Sequence, residues 1–307
     1  KIHLIIIGVL MSKRIALCIG GYWGSFTDMS SNGYKGFEHL KEVLFSKYDN
    51  IDVFVHTWQV DMKDEIIQMY KPWLKKISFE KQINFSECLR YFGVSDMKYA
   101  LNSNYNRNYP WNTVLDGSMP TKLPNYISQA YTRTQSLKLK RKYEQEKDFK
   151  YDWVIQTRFD IFSINRNLTH SSKPDVSRLK FDPNYDNEKI YFPFWEDFNE
   201  GMPNIWFYSN SENMDRFIDF DRKVITWLQG ETDYLDSVFN GWFDSNAENH
   251  RSNEILLQPE NKSKKLIKFS DPKDAYNYAM WMKQILKTEG LYEKVKILER
   301  VNFKENL

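Results

Sequence analysis

An arginine and an aspartate at the end of an apolar stretch are the strongest candidates for chemistry. The segment WVIQTRFD places Arg158 and Asp160 two residues apart, directly after residues typical of a buried strand. Side chains two apart on an extended chain point to the same side. A carboxylate is a hard ligand for Mg²⁺ or Mn²⁺, and a guanidinium can bind phosphate oxygens in a bidentate fork. The pair indicates a diphosphate site, with a structural Arg–Asp ion pair as the alternative.

Two other apolar stretches also end in residues that could contact a ligand. Gly20 and Gly21 follow the first stretch and Tyr22 comes next, so the backbone there could approach a nucleotide or a phosphate. This motif matches neither the dinucleotide-binding fingerprint nor the P-loop, and a tight turn explains the glycines equally well. His56 ends the second stretch. A single histidine without a visible partner favours a hydrogen-bonded structural role over a catalytic one.

These candidates need a parallel sheet to bring them together. The spacing of apolar residues predicts a strand over 14–20, an amphipathic helix over 36–48 and a second strand over 51–56. A strand, helix and strand of these lengths form a βαβ unit, so we expect a parallel sheet that is buried on both faces. In open α/β sheets, ligands bind beyond the carboxyl ends of the strands, where all three candidates fall.

The rest of the chain continues the α/β pattern. Further strands are expected at 76–80, 151–156, 189–194 and 204–209, and helices at 61–74, 86–91, 125–147, 211–228 and 231–243. The polar residues 95–124 form a long loop, of the kind that is either a functional lid or a disordered segment. The charged end of the long helix, KLKRKYEQEK over 138–147, predicts a solvated face rather than a binding patch.

The chain is expected to consist of one α/β domain over 11–270 and a helical C-terminal appendage over 271–307. The apolar segment 1–10 is too short to cross a bilayer, which needs about 20 apolar residues. We expect it to be an upstream extension of the reading frame, with a short interfacial anchor as the alternative. No other stretch approaches a transmembrane span, so we expect a soluble protein.

The composition narrows the possible partners and the compartment. The 307 residues include 43 Lys and Arg against 41 Asp and Glu, a formal net charge of +2. A charge so near zero argues against a dedicated nucleic-acid binder. Aromatic residues make up 16 % of the chain, which fits stacking on sugars or bases, with an aromatic-rich core as the alternative. Two cysteines, Cys18 and Cys88, cannot form a disulfide framework and favour a reducing, cytoplasmic compartment.

Three segments together resemble a family of glycosyltransferases found in bacterial polysaccharide gene clusters and in viral genomes. They are RIALCIGG, IDVFVHTW and YDWVIQTRFDI, and the resemblance covers roughly residues 13–260 in order. It implies a GT-A-like fold, in which a nucleotide-sugar donor lies over the carboxyl ends of a Rossmann-like sheet. In that fold a D-x-D motif ends a strand and holds Mn²⁺ or Mg²⁺ on the donor diphosphate. Here Asp160 matches the last aspartate of the motif, and Arg158 stands in place of the first.

The resemblance also implies which other residues bind the donor. Gly20, Gly21 and Tyr22 match the loop that borders the base and ribose. Arg133, Gln135 and Lys138 lie on the helix that leads into the Arg-Phe-Asp strand and could face the donor, with an ordinary helix face as the alternative.

The acceptor half of the resemblance gives candidates for the base and for a second metal ligand. The family carries an Asn-Asp pair where this chain reads NIWFYS, so the aspartate is missing. Glu196 and Asp197 are the nearest acidic candidates for a general base in an inverting transfer, with Asp233 as a rival; solvated loop acids are the alternative. His250 lies four residues before Glu254, which on a helix could complete a metal site or form a local pair.

These observations favour a glycosyltransferase that moves a sugar from a nucleotide-diphosphate sugar to a glycan or saccharide acceptor. The alternative is a non-catalytic carbohydrate- or nucleotide-binding protein on the same scaffold, because two family carboxylates are missing. Nucleotidyl transfer to a sugar phosphate also fits the fold, but no Gly-rich strand-turn with a following Arg and Lys supports it.

Overall fold

The computed structural model describes residues 13–23, 32–85, 122–161, 178–193, 202–203, 205–228 and 278–298. Its strands, in chain order, are β1 (Ile15–Gly21), β2 (Ile51–Thr57), β3 (Leu74–Phe79), β4 (Trp153–Thr157), β5 (Ile190–Phe192), β6 (Phe207–Ser209) and β7 (Val295–Ile297). They form one sheet in the order β3-β2-β1-β4-β6-β5-β7. Of these seven strands, β6 runs antiparallel to its neighbours and the others run parallel.

Helices cover both faces of this sheet. In chain order they are α1 (Asn32–Leu40), continuing as a π-helical turn (Lys41–Phe45), α2 (Lys63–Tyr70) after a 3-10 turn (Val60–Met62), α3 (Lys122–Lys147), α4 (Ser211–Asp215), α5 (Phe220–Leu228) and α6 (Tyr278–Thr288). A further 3-10 turn (Tyr292–Lys294) leads into β7. Within the described residues, no helix is both long and apolar enough to cross a membrane.

Strand β1 lies at the centre of the core because both of its faces are apolar. Leu17 and Ile19 face the side that α1 and α2 cover, whereas Ala16 and Cys18 face α3. All four side chains are fully buried. A strand buried on both faces must read as a continuous apolar run, which is the pattern of IALCI. The predictions of a βαβ unit and of an α/β sheet with flanking helices are therefore confirmed.

The connection into β3 shows where sheet pairing overrides helical propensity. A helix was expected over 61–74, but α2 ends at Tyr70 and residues from Leu74 onward pair with β2. The Val53 amide donates to the Trp73 carbonyl over 2.8 Å, so the neighbouring strand captures the chain at that point. The predicted strand over 76–80 is confirmed, but it begins two residues earlier.

The C-terminal segment contributes to the sheet as well as to the helical layer. A helical appendage was expected over 271–307, and α6 is indeed a helix whose Trp281 and Ile285 are buried in the core on the α3 side. After Gly290, in the left-handed region at φ 67°, the chain turns and β7 extends the sheet beside β5. The three residues of β7 stand among charged residues, a composition that also suits an exposed helix, which explains why this strand was not predicted.

Candidate functional site

A cleft with a volume of about 130 Å³ opens where β1 and β4 end. The chain places β2 and β3 on one side of β1 and β4 on the other, so the strand order reverses between β1 and β4. Such a switch point is where open α/β sheets bind ligands, beyond the carboxyl ends of the strands. The residues that line the cleft come from the ends of β1 and β4 and from α3: Gly20, Gly21, Tyr22, Asn125, Ser128, Gln129, Thr132, Arg133, Arg158 and Asp160.

The two glycines at the end of β1 are required for different reasons. A Cβ on Gly20 would lie 2.8 Å from the Thr132 carbonyl oxygen and 3.0 Å from the Arg133 amide nitrogen, so only glycine lets β1 pack this closely on α3. Gly21 has φ 120°, in the region that glycine favours, and a Cβ there would meet nothing within 4 Å. Gly20 therefore sets the position of the helix, and Gly21 sets the direction of the chain at the edge of the cleft.

Arg158 and Asp160 lie on the same side of the chain, as their spacing predicts, and they form the ion pair that was the structural alternative. Arg158 Nε lies 2.7 Å from Asp160 Oδ1, and Nη2 lies 2.5 Å from Oδ2, a fork in which each carboxylate oxygen accepts one hydrogen bond. Burial lowers the pKa of the Arg158 guanidinium, but the Asp160 carboxylate more than restores it, so the net shift is upward. The Arg158 side chain is about a quarter exposed, so this charged group forms a wall of the cleft rather than part of the core.

Arg133 brings a second, more deeply buried cation to the cleft. Its residue exposure is 2 %, and none of its three guanidinium nitrogens makes a hydrogen bond to any residue that the structure describes. The guanidinium carbon lies 5.1 Å from the Tyr278 ring centre and 5.9 Å from that of Phe207. The Tyr278 hydroxyl and the Asp160 carboxylate both favour the charged form of Arg133, but none of the guanidinium nitrogens meets hydrogen-bond geometry with either group. Burial lowers the pKa of Arg133, which marks the unfavourable surroundings of its charge.

Helix α3 also contributes a row of neutral polar side chains that were not predicted as site residues. Asn125, Ser128, Gln129 and Thr132 repeat at intervals of three or four and share one helix face with Arg133. Ser128 accepts a hydrogen bond from Trp58 Nε1 at 3.0 Å, which ties this face of the helix to the residues after β2. The sequence did hold a signal for these residues, because their spacing places them on the same helix face as Arg133. A polar helix face is, however, equally typical of a helix that is exposed to solvent.

Two other sequence candidates do not line the cleft. His56 is fully buried, with Nε2 3.4 Å from Glu80 Oε2 and with aromatic rings edge-on to the imidazole. Burial lowers its pKa although Glu80 raises it, which suits a neutral structural histidine. Lys138 lies five residues after Arg133, near Asp221; burial raises the pKa of the Asp221 carboxyl and Lys138 counteracts this.

The remaining candidates lie outside the described residues. They are the proposed bases Glu196, Asp197 and Asp233 and the proposed metal ligand His250. Among the residues that the structure does describe, no group of three or more His, Cys, Asp or Glu side chains could hold a metal ion. Asp160 is the one described carboxylate lining the cleft, and both of its oxygens already accept from Arg158. The described part of the cleft therefore does not fit a divalent cation, and a metal requirement stays a prediction.

No model of a protein family, no curated protein and no solved structure matches this chain.

Proposed function

We propose that the protein is a glycosyltransferase with a GT-A-like fold that moves a sugar from a nucleotide-diphosphate sugar to a glycan or saccharide acceptor. One observation carries the proposal. The cleft at the switch point of the sheet contains a buried arginine, Arg133, without a hydrogen-bond partner among the described residues, close to the Arg158–Asp160 pair. Guanidinium groups bind phosphate oxygens strongly and with defined geometry. A diphosphate is the ligand that suits two of them in one cleft.

We assign the lining residues to the successive parts of a nucleotide. Arg133 and Arg158 are assigned to the diphosphate, and the neutral polar face of α3 is assigned to the ribose and base. Breaking the bond between the sugar and the diphosphate leaves negative charge on the diphosphate. Fixed cations aimed at a position where charge develops lower the barrier of such a step. The two arginines would thus bind the donor and stabilise the leaving group.

The acceptor hydroxyl must lose its proton as it attacks the anomeric carbon. In an inverting transfer one carboxylate takes that proton, and its pKa has to suit the reaction. Glu196, Asp197 and Asp233 stay the candidates for this base.

A donor screen tests the proposal. Nucleoside diphosphates and nucleotide sugars are added to the wild type and to Asp160→Ala, and thermal unfolding and release of free sugar are both followed. A ligand at 100 times its Kd adds about 2.7 kcal/mol to the apparent stability, so a true donor is easily detected. We expect one nucleotide to stabilise the wild type and its sugar derivative to be consumed. Both effects should be reduced in Asp160→Ala, because Arg158 loses the carboxylate that orients its guanidinium.

The matched control is Asp49→Ala, an exposed carboxylate in the turn before β2, at the opposite end of the sheet. It should behave as the wild type. Stabilisation without consumption of any nucleotide sugar, with and without added saccharides, would favour the non-catalytic nucleotide-binding alternative. If no nucleotide changes the unfolding temperature, the proposed function is wrong.

A further inference from the structure

We infer that Arg133 and Arg158 hold the diphosphate of the ligand directly, so that the nucleotide binds without a divalent cation. This inference rests on the proposed function and concerns how the same cleft meets the charge of its ligand.

Arg133 is a buried cation whose guanidinium makes no hydrogen bond to the described residues. A buried guanidinium without a hydrogen-bond acceptor is unfavourable, because it has lost its hydration. The nearby Asp160 carboxylate attracts Arg133, but its oxygens accept hydrogen bonds from Arg158. The rings of Phe207 and Tyr278 compensate for the lost hydration only in part, since cation–π contacts supply no acceptor atoms. All three nitrogens lack an acceptor among the described residues although the residue lines the cleft. An entering anion supplies the missing acceptors.

The described residues of the cleft carry a net positive charge. Among the described residues that line the cleft, the charged ones are Arg133, Arg158 and Asp160, which gives 2 − 1 = +1. A metal-dependent site instead gathers several carboxylates around the cation, because hard oxygen ligands hold Mg²⁺ and Mn²⁺. The positive charge that meets the diphosphate is therefore built into the chain.

The two guanidinium groups are held in place by the fold and keep their charge at any working pH. The pairing with Asp160 uses two N–H groups of Arg158, from Nε and Nη2, and orients the planar guanidinium at the wall of the cleft. Arg133 comes from α3 and Arg158 follows β4, so separate elements hold the two cations at the cleft. Arginine does not lose its proton in the physiological range, so these charges stay in place at any working pH.

Titration calorimetry with UDP, GDP, CDP and ADP, each with Mn²⁺ or with EDTA, tests the inference. For the diphosphate that binds, we expect the wild-type affinity to agree within about threefold between the two conditions. Arg133→Met should weaken binding by about 30-fold or more in EDTA, because the bidentate charged contact is lost. The matched control is Arg141→Met on the same helix, where the arginine is about half exposed and lies away from the cleft. It should bind as the wild type does.

The outcomes separate this inference from the function it rests on. If a diphosphate binds with Mn²⁺ and not with EDTA, the inference is wrong and the proposed function stands. This comparison uses the wild type and does not depend on how any variant folds. Unchanged binding by folded Arg133→Met would equally overturn the inference. If no diphosphate binds in either condition, the proposed function fails and the inference fails with it.

Discussion

Helix α3 buries two cationic side chains two turns apart, and their surroundings differ completely. Lys140 is fully buried, and its Nζ donates to Ser211 Oγ and Asp215 Oδ1 at 2.7 Å and to Glu144 Oε2 at 3.0 Å. Arg133 is almost as deeply buried, yet its guanidinium has no hydrogen bond to the described residues. Seven residues rotate a helix by nearly two full turns, so both side chains leave the helix on the same face.

The difference separates a structural cation from a binding cation. Every donor of Lys140 is used within the fold, and Glu144 Oε1 also accepts from the Tyr151 amide at 2.9 Å. That network joins α3 to α4 and to the start of β4. Arg133 joins nothing in this way and faces the cleft instead. Since a buried charge is retained only where something compensates it, the missing partner of Arg133 is best sought in a ligand.

The largest loss of stability is expected at Lys140, because its ammonium group has all of its hydrogen-bond partners within the fold. Lys140→Met should lower the free energy of unfolding by about 3 kcal/mol, because it leaves the buried Glu144 carboxylate with only the exposed Lys150 as a cation. Urea unfolding followed by circular dichroism measures this. Lys142→Met, an exposed lysine on the same helix, is the control and should change the value by at most about 0.5 kcal/mol.

A second substitution tests the cause of that loss. In the double variant Lys140→Met, Glu144→Gln, the uncompensated carboxylate is gone, so part of the stability should return. A coupling energy below about 0.5 kcal/mol between the two sites would contradict the network, since residues in one network couple more strongly.

A smaller effect is expected at Gly20, which controls how closely Arg133 approaches the sheet. Gly20→Ala places a methyl group 2.8 Å from the Thr132 carbonyl oxygen, so α3 must move at the turn that carries Arg133. We expect a loss of about 1–3 kcal/mol in stability and weaker binding of the nucleoside diphosphate. Urea unfolding and calorimetry measure the two effects.

Gly290→Ala is the control for that variant. It strains a left-handed residue at the end of α6 and should cost about 1 kcal/mol while leaving nucleotide affinity unchanged. Equal losses of affinity in both variants would show that binding only follows global stability.

Lys283 is a third buried lysine or arginine, and it should make the stability of the protein depend on pH. Burial lowers the pKa of Lys283 on α6 from its ordinary 10.5 to about 7. The unfolded chain therefore binds the proton more tightly, so stability is fully present above pH 10.5 and falls as the pH decreases towards 7. Between pH 7 and pH 9 the free energy of unfolding should rise by roughly 2 kcal/mol from this group.

Urea unfolding at several pH values checks this expectation. Lys283→Met should flatten the profile, whereas Lys47→Met, at an exposed position after the first helix, should leave it unchanged. A profile of the same slope in Lys283→Met would assign the pH dependence to other groups.

The sheet and the strand-end residues could be predicted, because periodicity identifies strands and parallel strands share one carboxyl edge. Gly20 and Arg158 meet in one cleft for that reason. Helix geometry could also have separated Arg133 from Lys138, because five residues turn a helix by about 140° beyond one full turn. Burial along α3 could not be predicted: the stretch 138–147 was expected to be solvated, which is wrong for Lys140 and Glu144. Their partners on α4 lie about 70 residues further along the chain, beyond any local pattern.

The smallest expected effect on stability is a gain, at Arg133. Without ligand, Arg133→Met should raise the free energy of unfolding by about 1 kcal/mol, because an apolar side chain replaces a buried charge that lacks acceptors. The gain is limited, since the guanidinium also loses its contacts with the Tyr278 and Phe207 rings. Urea unfolding with and without a saturating nucleoside diphosphate measures it, and the wild type should become the more stable protein once the ligand is present.

The exposed Arg141→Met is again the control, and it should show neither the gain nor the reversal. If Arg133→Met instead destabilises the ligand-free protein as strongly as Lys140→Met does, then Arg133 has a partner inside the fold. The two cations of α3 would then be structural alike. A loss of stability in Lys140→Met and a gain in Arg133→Met, on one face of one helix, would not follow from a core that is sensitive to every substitution. They follow directly if one cation is compensated by the chain and the other by its ligand.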